Sequence, residues 1–336
     1  MAGSSVPYQL RINKHVDRIL FSEALGFLDQ RWPRDAGHLY VSMGGLTLQD
    51  HRVIHGRFPH SHLMSIEEDE TTHSRQLFNC PYGFITCKHM TSAQLIADFE
   101  AILEAVECRA ATVWLDYAAA NQRLLQLRET ETLVGKLAVG DIIRVTMNAN
   151  PSTLVPARDD KADVVVQRER LEVLSGQIDD YITTPPSAGA MTSAGLARVL
   201  VGAIRTAMLR GMDANLGLTL HPLLLLRYND LMHQMVTVTA ALVPKTFTRM
   251  RVYRRLKTWP YFANTWGGLR ELSLPDLTAR ERMCIDQHFL QRIDVGDLLN
   301  ALPFPIGRNK RNSLALLSAY VDHYRVYPDF MRVLVT

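Results

Sequence analysis

The chain has 336 residues, of which 47% are hydrophobic and 21% charged, and its formal net charge is +3. This composition excludes a disordered chain, and the 19 glycines and 15 prolines, which follow no period, exclude collagen-like and low-complexity sequences. No apolar run approaches the ~20 residues of a membrane span, residues 1–18 contain no apolar leader, and four cysteines are too few for a disulfide framework. We therefore expect a cytoplasmic protein without membrane contact.

The first predicted element is an amphipathic helix over residues 11–30, in an N-terminal segment (1–35) that we expect to cover the site. The first turns of this helix also contain charged residues, which include Lys14, Asp17 and Arg18. A helix over a site and a solvated, charged first turn both explain these residues, so the sequence leaves that choice open.

Five short apolar runs follow in the core segment, residues 36–155, and helical stretches separate them. The runs are 38–43, 62–66, 84–87, 111–115 and 141–147. Strands buried on both faces have such nearly continuous apolar sequences, and right-handed crossovers between them build a doubly wound sheet. The core is therefore predicted to be a Rossmann-like α/β domain with five parallel strands.

Three segments are predicted after the core: a helical insertion, a strand hairpin and a helical C-terminal extension, at 156–222, 223–265 and 266–336. The hairpin prediction depends on two β-rich stretches, 232–243 and 249–257, with Pro244 and Lys245 between them. An antiparallel hairpin beside five parallel strands makes a sheet of seven strands.

The candidate binding residues lie where the predicted strands end, because ligands of open α/β sheets bind outside the carboxyl ends of the strands. Met43, Gly44 and Gly45 follow the first strand, and the glycines let backbone N–H groups approach a ligand closely. The full glycine motif of NAD and FAD sites is missing. Glu67 ends the second strand about 20 residues later, where a carboxylate can accept hydrogen bonds from two ribose hydroxyls. A solvated acidic loop is the alternative interpretation of Glu67 and its neighbours.

Asp116 and Tyr117 end the fourth strand and are the candidate catalytic residues, since an acid and an aromatic ring there would face substrate or cofactor. A helix-capping aspartate beside a packed tyrosine is the alternative interpretation. Four histidines lie near strand ends and are candidates for a general base: His51, His55, His73 and His89.

Two further clusters have simpler interpretations beside the functional ones. Cys80, Cys87 and His89 lack a second pair of ligands at zinc spacing, so we expect free cysteines and no metal site. The basic residues of the predicted strand at 249–257 could bind nucleic-acid phosphates, or could simply protect a sheet edge from pairing. Those residues are Arg249, Arg251, Arg255 and Lys257.

The arrangement resembles the class I fold of S-adenosylmethionine-dependent methyltransferases, and more specifically a group of bacterial O-methyltransferases. Four stretches carry the resemblance: VSMGGLTLQDHRVIH (41–55), MSIEEDE (64–70), VWLDYA (113–118) and GDIIRVTMNANP (140–151). The resemblance implies that Gly44 and Gly45 line the methionine part of S-adenosylmethionine, that Glu67 holds its ribose and that Asp116 closes the site.

The resemblance thus implies an O-directed, S-adenosylmethionine-dependent methyltransferase whose acceptor the sequence does not identify. Two other hypotheses stay open. One is a non-catalytic binding or scaffold subunit with the same fold, and the other is a nucleic-acid methyltransferase that uses the basic strand.

Overall fold

The computed structural model describes six stretches of the chain: 10–28, 37–59, 61–157, 160–212, 217–289 and 294–328. The ends of the expected N-terminal segment, at 1–9 and 29–35, lie outside them, as does the end of the C-terminal extension, 329–336.

A mixed sheet forms the centre of the molecule. Its strands are β1 (His38–Ser42), β2 (Ser61–Glu67), β3 (Ile85–His89), β4 (Ala110–Asp116), β5 (Ile142–Asn148), β6 (Leu218–Asp230), β7 (His233–Pro244) and β8 (Arg270–Leu272). They lie in the order β3-β2-β1-β4-β5-β7-β6-β8. The first five strands in this order are parallel, and β6 and β7 form the antiparallel hairpin, which pairs with β5 through β7. The predicted Rossmann-like α/β class is confirmed, with β8 as an eighth strand parallel to β6.

Helices cover both faces of this sheet. They are α1 (Ile12–Leu28), α2 (Gln49–Arg57), α3 (Glu70–Asn79), α4 (Ser92–Ala97), α5 (Phe99–Ala105), α6 (Arg123–Val134), α7 (Asp163–Ile178), α8 (Ser193–Gly211), α9 (Arg251–Leu256), α10 (Ala279–Phe289) and α11 (Lys310–His323). One core lies between the sheet and α4 to α8. The other lies between the opposite face and α1, α2 and the C-terminal helices α9 to α11. Among the described residues, no helix combines the length and the apolar character needed to cross a membrane.

The position predicted for the hairpin was wrong. The basic stretch 249–257 is not a strand but contains α9, and the partner of β7 is β6, which precedes it in the chain. Proline is rare inside sheets because it lacks an N–H donor, and the sequence of β6 contains Pro222. The structure accommodates this proline at a shift in the β6–β7 register between Pro222 and Leu224. On its other side, β6 pairs with β8 only at residues 226–228.

Candidate active site

The crossover of the chain brings the predicted binding residues to one edge of the sheet. From β1 the chain passes to β2 and β3 on one side, while β4 pairs with the other side of β1, so the topology switches between β1 and β4. Ser42 lies opposite Ser65 of β2 and Trp114 of β4. Two residues further along each strand are Gly44, Glu67 and Asp116. These three residues therefore lie at the same level of the carboxyl edge, where ligands of such sheets bind.

The turn after β1 is packed closely against its own surroundings. The Gly44 N–H donates to Ser65 Oγ at 3.1 Å. A Cβ at Gly44 would lie 2.6 Å from both Ser65 Oγ and Leu48 Cδ2, and 2.8 Å from His51 Cε1. Gly45 has a φ of +57°, in the left-handed region that favours glycine. Both glycines are thus required by the turn itself.

A buried polar network that the sequence did not predict fixes the start of α2 beneath this turn. Asp50 accepts hydrogen bonds from the Tyr40 hydroxyl at 2.9 Å and from Ser42, and His51 lies 3.2 Å away. His51 also bonds to the Met64 carbonyl at 2.8 Å. Burial would raise the pKa of Asp50, but the His51 charge and hydrogen bond outweigh it and hold that pKa well below its usual range.

The same pair affects the pKa of His51 in the opposite direction. Burial would lower its pKa, but the neighbouring Asp50 raises it above the ordinary value. Because His51 is fully buried and bonded through both ring nitrogens, it has a structural role at the turn. His73 and His89 stack on each other with ring centroids 5.5 Å apart, beside the end of β3.

Glu67 is the buried member of the acidic run that follows β2. Its Oε1 accepts the Asp69 N–H at 3.1 Å. Burial raises the pKa of Glu67, and the charges of Asp69 and Glu68 add to this increase, although the Asp69 N–H opposes it. Asp69 instead caps α3, where it accepts the Thr72 N–H at 2.8 Å. The run therefore contains one exposed helix cap, Asp69, and one buried carboxylate at the edge, Glu67.

Asp116 and Tyr117 point to opposite faces of the sheet. Asp116 Oδ2 lies 3.7 Å from Arg18 Nη2 of α1, and its side chain is 16% exposed. The Tyr117 hydroxyl donates to Glu129 of α6 at 2.5 Å, within the other core. Burial, and then the Glu129 charge, raise the pKa of Tyr117 well above its ordinary value. The two adjacent candidates therefore have different surroundings, and only Asp116 faces α1.

Helix α1 is fastened to the sheet by buried charges, so the interpretation of a solvated first turn was wrong. Asp17 pairs with Arg144 of β5 at 2.5 Å, and both side chains are fully buried. The Arg144 guanidinium lies 4.5 Å from the ring centroids of both Phe21 and Trp114. At the hairpin end of α1, Arg11 and Lys14 each pair with Asp230 at 2.9 Å. The sequence separates these partners by more than a hundred residues, which is why sequence patterns did not reveal them.

Comparisons with known proteins place this chain in a family. The model of the family described as "Putative O-methyltransferase" matches residues 6–335. A solved structure described as "a putative O-methyltransferase from Klebsiella pneumoniae" is 12% identical, with a TM-score of 0.38 over 72% of this chain and 83% of that chain. The N-methyltransferase NodS from Bradyrhizobium japonicum WM9 is 10% identical, with a TM-score of 0.33 over 68% and 97%.

The plantazolicin methyltransferase BpumL, solved in complex with SAH, is 13% identical, with a TM-score of 0.31 over 68% of this chain and 84% of that chain. No curated protein matches the chain. Because the family model spans nearly the whole sequence, the chain belongs to this family of O-methyltransferases and is an S-adenosylmethionine-dependent methyltransferase of the class I fold.

Proposed function

We propose that the carboxyl edge between β1 and β4 binds S-adenosylmethionine and that the chain transfers a methyl group to an oxygen atom of its acceptor. One observation supports the position of this site. The Gly44–Gly45 turn, Glu67 and Asp116 lie at one level on three adjacent strands, at the topological switch point of the sheet.

The side chains at this edge suit the chemistry of the donor, which has a ribose diol, an amino group and a carboxylate. Glu67 would accept hydrogen bonds from both ribose hydroxyls, and Asp116 would accept them from the amino group. Arg18, which lies beside Asp116, would pair with the donor carboxylate. Met43 is half-buried against the core and would provide an apolar contact.

When bound, S-adenosylmethionine supplies a methyl group on a positively charged sulfur. An acceptor oxygen can attack the methyl carbon in line with the carbon–sulfur bond, and S-adenosylhomocysteine is the leaving group. The residues of this chain would contribute orientation and the exclusion of water. Helix α1 covers the sheet face beside Asp116, and its buried ion pairs hold it there. We assign Tyr117 to positioning, because its hydrogen bond to Glu129 ties the end of β4 to α6.

Nucleic acid is a second candidate partner. The observation that favours it is that the basic residues at 249–257 are exposed on and beside α9. These are Arg249, Arg251, Arg255 and Lys257.

A reducing compartment such as the cytoplasm is also proposed, and the four free cysteines support it.

Calorimetric titration with S-adenosylhomocysteine tests the donor site. We expect the wild type to bind, and Glu67→Gln to bind about ten- to a hundredfold more weakly, because charge-assisted hydrogen bonds contribute ~1.5–3 kcal/mol. Glu68→Gln is the matched control: its side chain is exposed and its affinity should not change. Asp116→Asn should also weaken binding.

Failure of the wild type to bind at millimolar concentrations would contradict the donor site and favour a non-catalytic scaffold. Equal affinities of the wild type and Glu67→Gln would show that the ribose contact lies elsewhere. The free energy of unfolding gives an independent test, because ligand at a hundredfold excess over Kd should raise it by about 2.7 kcal/mol.

A further inference from the structure

Two exposed features lie at the amino edge of the sheet, which is opposite to the carboxyl edge proposed for methyl transfer. At the amino edge the parallel strands begin, and the helices that return from the carboxyl edge end. Helix α2 ends here at Arg57, β3 begins here at Ile85, and β7 ends here before α9. No part of the proposed donor site lies at this edge.

The first feature is an aromatic cluster of His55, Tyr82 and Phe84. The rings of Tyr82 and Phe84 are stacked with an interplanar angle of 8° and centroids 5.2 Å apart, and His55 lies 4.5 Å from Phe84. The side chains remain open to solvent, with Tyr82 39% and Phe84 52% exposed. Phe78, on the last turn of α3, is 91% exposed. Exposed apolar side chains that lie together on a surface commonly mark a site that contacts a partner.

The second feature is a cationic segment, residues 245–257, which contains six basic residues and no acidic one. Its excess of positive charge is larger than that of the whole chain, which is +3. Five of its exposed cations form no ion pair with any carboxylate of the described residues, namely Lys245, Arg249, Arg251, Arg254 and Lys257. Such a segment attracts a polyanion.

The end of α1 connects the two features along the amino edge. Arg57, two residues after His55, lies against Gly26 of α1: a Cβ at Gly26 would be 2.9 Å from Arg57 Nη2. The next residue of α1, Phe27, lies 5.9 Å below the guanidinium of Arg255 of α9. The aromatic cluster, Arg57, the end of α1 and the cationic segment thus form one surface, which we name the amino-edge track. It crosses about five strand spacings, or roughly 24 Å.

We propose that the amino-edge track binds single-stranded nucleic acid, an inference that rests on nucleic acid being the second candidate partner. The cations would neutralise phosphates along the strand, and the solvent-exposed parts of the Tyr82 and Phe84 rings would stack on unpaired bases. A duplex keeps its bases stacked on each other and does not offer them to these rings. Other polyanions would engage the cations but not the rings. A strand on this track leaves the carboxyl edge free for methyl transfer.

Fluorescence anisotropy with labelled oligonucleotides of about 15 nucleotides tests this proposal. The probes are single-stranded RNA, single-stranded DNA and the corresponding DNA duplex, with heparin as an unlabelled competitor. We expect binding of at least one single strand, and the two single-strand arms show which sugar the track accepts. With five phosphates neutralised, the slope of log Kobs against log salt should be about −3.5, so affinity should fall about a hundredfold between ~50 and ~200 mM salt.

Two sets of variants separate the charge from the rings. Arg251→Gln with Arg254→Gln should reduce the salt slope by about 1.4 and weaken the binding of single strands and heparin alike. Tyr82→Ala with Phe84→Ala should weaken single-strand binding about tenfold or more and leave heparin binding unchanged. The matched control for the charge is Arg198→Gln, an exposed cation on α8, which covers the face of the sheet opposite to α1 and α9. The matched control for the rings is Phe304→Ala, an exposed ring of the C-terminal extension that is not part of the amino-edge track.

Three outcomes would overturn the proposal. Equal affinity for the duplex and the single strands would leave nucleic acid as a partner but refute the single-strand assignment. Unchanged binding by the aromatic variant would show that the rings take no part. Absence of binding to every polyanion would refute the nucleic-acid partner as well. S-adenosylhomocysteine binding by the same variants should equal that of the wild type, so a failure here is distinct from a failure of the donor site.

Discussion

Replacing Asp17 by asparagine should lower the free energy of unfolding by about 3–5 kcal/mol, because it leaves the Arg144 guanidinium charged, buried and without a counterion. Both side chains are fully buried, and the ion pair between them measures 2.5 Å. Arg144 would keep its hydrogen bond to Thr239 Oγ1 at 2.8 Å and its contacts with the Phe21 and Trp114 rings. Those contacts place the expected loss towards the lower end of this range.

Replacing both partners gives the matched comparison. The double variant Asp17→Leu with Arg144→Met removes both charges and fills similar volume, so its stability should return to within about 1 kcal/mol of the wild type. Denaturant unfolding followed by tryptophan fluorescence measures both effects, since Trp114 lies against Arg144. Glu100→Gln is the surface control: it breaks an ion pair with Lys136 in which Glu100 is 71% exposed, and should cost less than ~1 kcal/mol.

An Asp17→Asn protein as stable as the wild type would refute this reasoning, because it would mean that the charge of Arg144 is solvated and that α1 is not packed on the sheet. The double variant could also lose as much unfolding free energy as Asp17→Asn. That result would show that the ion pair itself stabilises the packing of α1, and that the loss in Asp17→Asn does not come from the unpaired charge of Arg144.

Three further predictions concern the turn, the pH dependence of stability and the strand end. Gly44→Ala should destabilise the protein by about 1–3 kcal/mol, because the new Cβ would lie 2.6 Å from its nearest neighbouring atoms. Gly56→Ala, whose Cβ would meet no atom within 4 Å, should instead stabilise α2 by about 0.5–1 kcal/mol, and thermal unfolding distinguishes the two variants. Burial, with the Arg18 charge, lowers the pKa of His15 from 6.5 to about 4, so the folded state disfavours its protonation. Stability should therefore fall by about 3 kcal/mol as the pH decreases from 6.5 to 4, and His15→Gln should flatten this part of the profile of unfolding free energy against pH. Tyr117→Phe should cost about 1–3 kcal/mol of stability by removing the hydrogen bond to Glu129. By calorimetry its S-adenosylhomocysteine affinity should fall, though less than that of Asp116→Asn; an affinity equal to that of the wild type would contradict the positioning role.

The central strands were predictable because they are buried on both faces. Burial on both faces requires nearly continuous apolar residues, and helices must alternate with parallel strands to connect them. The run predicted at 111–115, for example, lies within β4, which is Ala110–Asp116. The position of Asp116 at the strand end followed from the same run.

The hairpin was mispredicted because local patterns conflict there. Met250, Tyr253 and Leu256 recur at a spacing of three, which suits a short helix, while the alternation of basic residues around them suggested a strand. Proline is unfavourable inside a sheet, yet β6 contains Pro222 at a register shift where β8 does not pair with it.

The sequence by itself determined the parallel core and the approximate strand ends, whereas the opposite orientations of Asp116 and Tyr117 were not predicted from it. Only the tertiary structure decided which face meets α1 and which meets α6. Asp17 and Arg144 are 127 residues apart, and their pairing depends on how α1 packs across the sheet. Likewise, the space that a Gly44 side chain would need is filled by Ser65, Leu48 and His51, which come from other elements. Such contacts depend on distance in space rather than along the chain, so no local pattern encodes them.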